Sequence, residues 1–184
     1  IRRFKGVRPP PDGSSRGDIA IDGLFDDWED VEPELRDDEG DIRHREHPGY
    51  AAAGPFVNAW GRNDLVACKA ALGASNVYFM ARTARPLVVP PEKDSGWMNL
   101  LLTIRGRDTE TWEGFQLRVV PLAGSAGKAA ACAWRNGRWT KVVEVPFAQG
   151  ADRVELALPL GAHADRLDRL EVEFKWFDHM PEPF

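Results

Sequence analysis

The sequence predicts an all-β domain, a two-sheet antiparallel β-sandwich of immunoglobulin or jelly-roll type. Three observations lead there. From Phe56 onward the apolar residues recur with period two in one segment after another, the pattern of strands that turn one face to a core. Short Gly, Pro and Asp turns separate those segments, as they do in sandwiches. Stretches with helical spacing are scarce; Ala162 to Leu170 is the best of them, and it is short.

Residues 1–17 read as a linker or ragged N-terminus. Pro9-Pro10-Pro11 stiffens the segment, Asp12-Gly13-Ser14-Ser15 loosens it, and neither builds core. The domain is expected over residues 18–184, joined on its N-terminal side to something else. It opens with Ile19 and Ile21 alternating into an Asp22-Gly23 turn. Asp26-Asp27 and the aromatic anchor Trp28 follow. Glu29 to Tyr50 is strongly acidic and then mixed, without sustained periodicity. It predicts a long ordered loop with one helical turn around Trp28 to Val31.

The strands follow in order. Asn76 to Thr83 places Val77, Phe79 and Ala81 on one face and Tyr78, Met80 and Arg82 on the other. Trp97 to Ile104 aligns Met98, Leu100, Leu102 and Ile104, and Phe115, Leu117 and Val119 alternate with Gln116 and Arg118. Trp139 to Phe147 aligns Val143, Val145 and Phe147. Val154, Leu156 and Leu158 alternate with Glu155 and Ala157. Leu170, Val172, Phe174 and Trp176 alternate with Glu171, Glu173 and Lys175. Asn136-Gly137 is a strong hairpin signal, since both central residues of a type I′ turn need positive φ. A two-residue loop there pairs Arg135 with Arg138 and sets Trp134 beside Trp139 on one face.

At 184 residues the chain is long enough for one domain with a sizeable core. A formal charge of -5 argues against nucleic acid as a partner, because phosphate binding needs a basic footprint. No apolar run reaches the roughly 20 residues that span a bilayer. Cys68 and Cys132 are too few for a disulfide framework and too far apart for a zinc knuckle. They read as two small buried side chains, with a single inter-strand disulfide as the alternative.

Chemistry-bearing residues are abundant but unspecific. Asp22, Asp26, Asp27, Asp37, Asp38, Glu39 and Asp41, with Asn63 and Asp64, offer hard oxygen donors of the kind calcium takes. The plainer account is a solvated acidic loop whose Asp residues form turns and caps. His44 and His47 lack the zinc-protease spacing and a third ligand. No carboxylate pair is marked as one buried and one solvated acid, and no nucleophile elbow or phosphate-binding glycine loop occurs. Nothing positive indicates an enzyme. The tryptophans remain. Flat indole faces stack on the apolar faces of sugar rings, and Trp97, Trp112, Trp134 and Trp139 lie at strand ends or beside turns. Trp28 and Trp176 read as core anchors.

Ile19-Ala20-Ile21-Asp22-Gly23 followed by Asp26-Asp27-Trp28 resembles the opening of family 9 carbohydrate-binding modules, which are DOMON-like β-sandwiches. Most similar is a subgroup of family 9-like domains in secreted or cell-envelope bacterial proteins, often attached to glycoside hydrolase-like chains. The resemblance continues in Gly40-Asp41, Gly61-Arg62-Asn63-Asp64, Asn76-Val77-Tyr78-Phe79 and Trp97-Met98-x-Leu100-Leu101. Trp112-Glu113-Gly114-Phe115 and Phe174-Lys175-Trp176 complete it, so it covers about Asp18 to Asp178. It implies a two-sheet sandwich, export to the medium, periplasm or cell envelope, and sugar binding without catalysis. It also implies a structural calcium, for which Asp37, Asp41, Asn63 and Asp64 are the candidate ligands. The chain departs from the pattern at Thr103 and Arg105, where relatives tend to have Asp-x-Asp, at Gln116 in place of an Asp, and in Phe177-Asp178-His179, where Ala-Asp-Asn is usual.

The leading expectation is therefore a non-catalytic carbohydrate-binding accessory module whose partner is an oligo- or polysaccharide. Trp97, Trp134 and Trp139, with Trp112, would stack on the sugar. The departures motivate an alternative, a structural or interdomain module that packs on a neighbouring domain of the same parent chain without binding sugar. A third reading, a haem or redox module ligated through Met80 or Met98 and a histidine, has no attachment motif behind it.

Overall fold

The computed structural model describes residues 13–15, 18–40, 45–47, 56–58, 62–90, 96–106, 108–122, 127–161 and 170–178. Its strands are β1 (Ser14–Ser15), β2 (Leu35–Arg36), β3 (Arg45–His47), β4 (Phe56–Asn58), β5 (Leu65–Leu72), β6 (Asn76–Thr83), β7 (Asn99–Ile104), β8 (Leu117–Pro121), β9 (Lys128–Arg135), β10 (Arg138–Gln149), β11 (Arg153–Pro159) and β12 (Val172–Phe177). The expected helical turn is a 3-10 turn two residues earlier, over Asp26–Trp28. The helix expected from Ala162 falls outside the described residues except for Leu170, as does nearly all of the expected linker.

The main sheet runs β1-β5-β6-β11-β10-β9-β8-β7-β12, with β2 adding to β5, while β3 and β4 pair apart from it. All its ladders are antiparallel except the short parallel β1–β5 pair. Strand β10 joins the two halves: Arg138 to Pro146 pairs with β9, and Phe147 to Gln149 pairs with β11. In a flat sheet the six inter-strand steps from β6 to β12 would separate those strands by about 29 Å. Yet Phe79 of β6 and Phe174 of β12 pack edge to face with ring centroids 5.2 Å apart. The sheet is therefore curled into a half-barrel around one core.

The concave face carries that core. Val77, Phe79, Leu100, Leu102, Val119, Val145, Phe147, Val154, Leu156 and Trp176 all belong to it. The convex face of the first half is also covered, which period-two reasoning did not anticipate. Ile19, Phe25, Trp28 and Val31 lie over Ala71, Tyr78, Met80 and Ala157 as a second apolar cluster. Strand β6 is thus buried on both faces, and its Tyr78 and Met80 do not face water.

The Asn136-Gly137 hairpin is present, with φ of 51 and 73. Its register sets Arg135 opposite Arg138 and Trp134 opposite Trp139.

Cys68 and Cys132 are both free thiols. Cys68 packs against the concave core. Cys132 sits one residue from core Ala131 and so points to the convex side. The intact sheet separates them, and no disulfide can form. Burial first, then the nearby Asp37 and Glu34 carboxylates, push the Cys68 thiol up to about 11. The thiolate is the reactive form, so Cys68 is expected to resist alkylation in the folded protein at about pH 8 and to react as readily as a free thiol in denaturant. Rapid native labelling of Cys68 at that pH would contradict this placement.

Candidate functional site

Two buried polar knots explain most of the conspicuous sequence motifs, and both are structural. The first is built on Glu155 of β11, a residue that alternation assigns to the solvent face. It is fully buried. Its Oε1 accepts the backbone N–H of Asp22 (3.0 Å) and of Gly23 (2.7 Å), and its Oε2 accepts the Trp28 indole N–H (2.7 Å). Gly23 takes φ +83 in this turn, and an added Cβ would come within 3.2 Å of the Gln149 carbonyl oxygen. Around this centre Asp18 accepts the Tyr78 hydroxyl, and Asp27 accepts the N–H of Ala20. Lys69, itself buried, donates to the carbonyl oxygen of Trp28 at 2.9 Å, where the 3-10 turn ends. The acidic opening stretch is the fastening that holds residues 18–31 against the sheet.

The second knot lies at the chain's far end. Asp178 lies between two positions, 177 and 179, where the sequence departs from the pattern it resembles, and its side chain is 2% exposed. It accepts a two-pronged bond from Arg62 at 2.7 and 2.9 Å, the Asn63 amide at 2.9 Å and the Met98 N–H at 3.1 Å. Asn63 also donates to the Val88 carbonyl and accepts the Val88 N–H. The same carbonyl oxygen takes the Trp97 indole N–H at 3.1 Å. Arg62-Asn63, Trp97-Met98 and the end of β12 are thereby brought to one point.

These contacts decide where several candidate site residues lie. Trp97 is buried, packed edge to face on Phe147 at 6.1 Å, and presents no open ring face. Asn63 spends its carbonyl oxygen on Val88. The loop after Asp37 does meet Asp64: Gly40 donates to Asp64 Oδ2 at 2.7 Å, and Asp37 donates from its backbone to Val66. Asp64 Oδ1 is buried without a hydrogen-bond partner. Asp37 is exposed and caps the N–H of Asp38. Asp41 lies outside the described residues. Among those residues no three His, Cys, Asp or Glu side chains gather as a metal site. Met80 and Met98 are buried in the two separate apolar clusters.

The other three candidate tryptophans come together. Trp139 is the centre, with Trp134 at 5.2 Å and 69° and Trp112 at 6.1 Å and 62°. Trp134 and Trp139 face each other across the β9–β10 ladder. Trp112 arrives from a tight turn, exchanging backbone hydrogen bonds with Phe115 at 2.9 Å each way. Glu113 and Gly114 at its tip have φ of 49 and 93, a left-handed conformation uncommon for a Glu and kept where surroundings over-determine it. Two further bonds do so here. Thr103 donates its hydroxyl to the Gly114 carbonyl, and Glu110 accepts the Asn136 N–H at 2.6 Å. Gln116 is buried and donates from its backbone to Leu102 while its side-chain oxygen accepts the Ile104 N–H, which locks the turn to β7. Trp112 remains 36% exposed and Trp134 and Trp139 half-exposed, so the trio forms a prearranged aromatic patch open to solvent.

Comparison with known protein families, with characterised proteins and with solved structures gives no match to this chain.

Proposed function

We propose that this chain is a non-catalytic carbohydrate-binding accessory module of an exported bacterial protein, of the family 9-like kind its motifs resemble. In this reading the two halves of the curled sheet act as the two leaves of a β-sandwich. The observation that carries it is the Trp112, Trp134 and Trp139 patch, three indoles pinned by backbone bonds and left accessible. Rigid aromatic faces bind sugar rings at low entropic cost, because little freedom is lost on contact. Trp97 has no part in it. Calorimetry against a panel of plant and bacterial oligosaccharides is expected to give measurable heat together with a change in tryptophan fluorescence. A flat response in both signals across the panel would remove the proposal.

Calcium belongs to this reading as a subsidiary proposal centred on Asp64, whose buried, unpartnered oxygen is the feature in its favour. The commitment of Asn63 to Val88 argues against Asn63 as a ligand. A cation that binds only the folded state raises its stability, so EDTA is expected to lower the melting midpoint and added calcium to restore it. A midpoint unmoved by EDTA would dispose of the ion.

The interdomain reading has one specific observation behind it. The three rings meet edge to face, a geometry that also fills an interface. It predicts association with the neighbouring domain of the parent chain and no response to sugar.

A further inference from the structure

A polar cleft of about 260 Å³ lies on the convex side of the first half, at the border of the segment that covers it. Trp28 and Glu34 line it from the covering side, and Lys69, Met80, Arg82 and Arg153 line it from β5, β6 and β11. The register concentrates positive charge there. Arg82 stands opposite Arg153 on one neighbouring strand and opposite Ala67 on the other. Like charges directly opposite each other destabilise a sheet. An arginine pair in that position is unfavourable unless a negative group comes between the two.

The surrounding side chains do not supply that group. Among the described residues Arg82 makes no ion pair and donates no side-chain hydrogen bond. Arg153 lies over the Phe25 ring, 5.9 Å from its centre. Its Nε is buried and has no hydrogen-bond partner, although the Asp152 carboxylate is 3.4 Å away. Glu155, two residues along β11, spends both oxygens on Asp22, Gly23 and Trp28. Glu34 is bonded to Arg36 at 2.8 Å and lies 3.7 Å from Lys69. Burial acts to raise the Glu34 pKa, but the Arg36 hydrogen bond and the charges of Lys69, Arg36 and Arg82 bring it below the usual carboxylate range. Glu29, the other carboxylate on the cleft, is exposed. Lys69 donates to the carbonyl oxygens of Trp28 at 2.9 Å and Glu29 at 3.4 Å, so it lends charge to the cleft while its bonds are used elsewhere.

We propose that this cleft binds a small oxyanion, the carboxylate or phosphate group of a ligand, between the Arg82 and Arg153 guanidinium groups. Planar guanidinium forks match both anions with paired hydrogen bonds, and partial burial strengthens such bonds relative to water. The anion offsets the repulsion between the two arginines. Because one wall of the cleft is the covering segment, its binding also ties that segment to the sheet. The site lies on β5, β6 and β11, whereas the aromatic patch is built on β9, β10 and the Trp112 turn. The inference stands apart from the sugar-binding reading and does not depend on it.

The test titrates the whole chain with inorganic phosphate and with malonate, each against sodium chloride of the same ionic strength, and follows heat and melting midpoint. At least one of the two anions is expected to bind saturably. At about ten times its dissociation constant it should raise the midpoint by roughly 3–6 °C. Which of the two binds more tightly tells phosphate from carboxylate chemistry. Arg82→Gln and Arg153→Gln are each expected to abolish the saturable heat and the rise in midpoint. Without added anion Arg82→Gln should melt no lower than wild type, because it removes one of two facing like charges. Lys141→Gln, which replaces an exposed cation of β10, should respond as wild type does. A general salting effect would raise the midpoint of every variant alike, and that result overturns the inference. So does an absence of saturable binding by both anions in the wild-type protein.

Discussion

Glu155→Ala is expected to destabilise the protein by about 3–5 kcal/mol, the cost of leaving three buried donors without their acceptor. The substitution leaves the N–H groups of Asp22 and Gly23 and the Trp28 indole N–H without the acceptor they share. Each such loss costs roughly 1–3 kcal/mol where water cannot replace it. The damage should be local before it is global. Residues 18–31 contact the sheet through this carboxylate and the small apolar cluster beneath it. Trp28 emission should therefore shift to the red, and amide exchange should quicken across that segment while β7 to β9 stay protected. Glu155→Gln should fall between, since an amide keeps one acceptor and turns its other group, a donor, toward donors. Trp28→Phe, which deletes one donor and keeps most of the apolar burial, is expected to cost less than Glu155→Ala. An unchanged midpoint in Glu155→Ala would mean that the opening stretch is not fastened as described.

Asp178→Ala carries the second large effect. It would strand the Arg62 guanidinium, whose side chain is 6% exposed, away from the carboxylate that grips it with two hydrogen bonds. It would also remove the acceptor of Asn63 and of the Met98 N–H. A loss of about 3–5 kcal/mol is expected, which in a chain of this size lowers the melting midpoint by roughly 10 °C. The double variant Arg62→Met with Asp178→Ala should recover a large share of that loss, because an apolar side chain leaves no buried charge to compensate. Losses that simply add would show that the pair is not coupled.

Much of the fold is legible because its signals are local. Asn136-Gly137 demands positive φ whatever surrounds it, and the alternation in Asn76–Thr83 and Val154–Leu158 records which side chains reach the concave core. What stays hidden is non-local. Leu65–Leu72 forms β5, yet its Ala- and Lys-containing pattern carries little strand signal. Its pairing with β6 and burial from above by residues 18–31 decide the matter. Glu155 looks like an ordinary outward residue because the segment that covers it lies more than 120 positions earlier in the chain. Trp97 looks like a platform at a strand end. The nearby Val88 carbonyl and Phe147, distant in sequence, draw it inward. Asp178 does not stand out in the sequence by itself, and Arg62 and Asn63 give it a purpose. Of the tryptophans, the Trp134 and Trp139 pair is readable from the hairpin alone. The addition of Trp112 is not, because it depends on how the Glu113-Gly114 turn folds back over β7.

The two knots and the half-barrel they brace serve as a rigid frame, and the aromatic patch is what that frame presents to solvent. Titrating the wild-type protein and Trp139→Ala with the tightest-binding oligosaccharide of the panel tests that claim most directly. The patch account predicts that Trp139→Ala, which removes the central ring, lowers affinity by about tenfold or more with the melting midpoint preserved to within a few degrees. Equal affinity in the two proteins would contradict it.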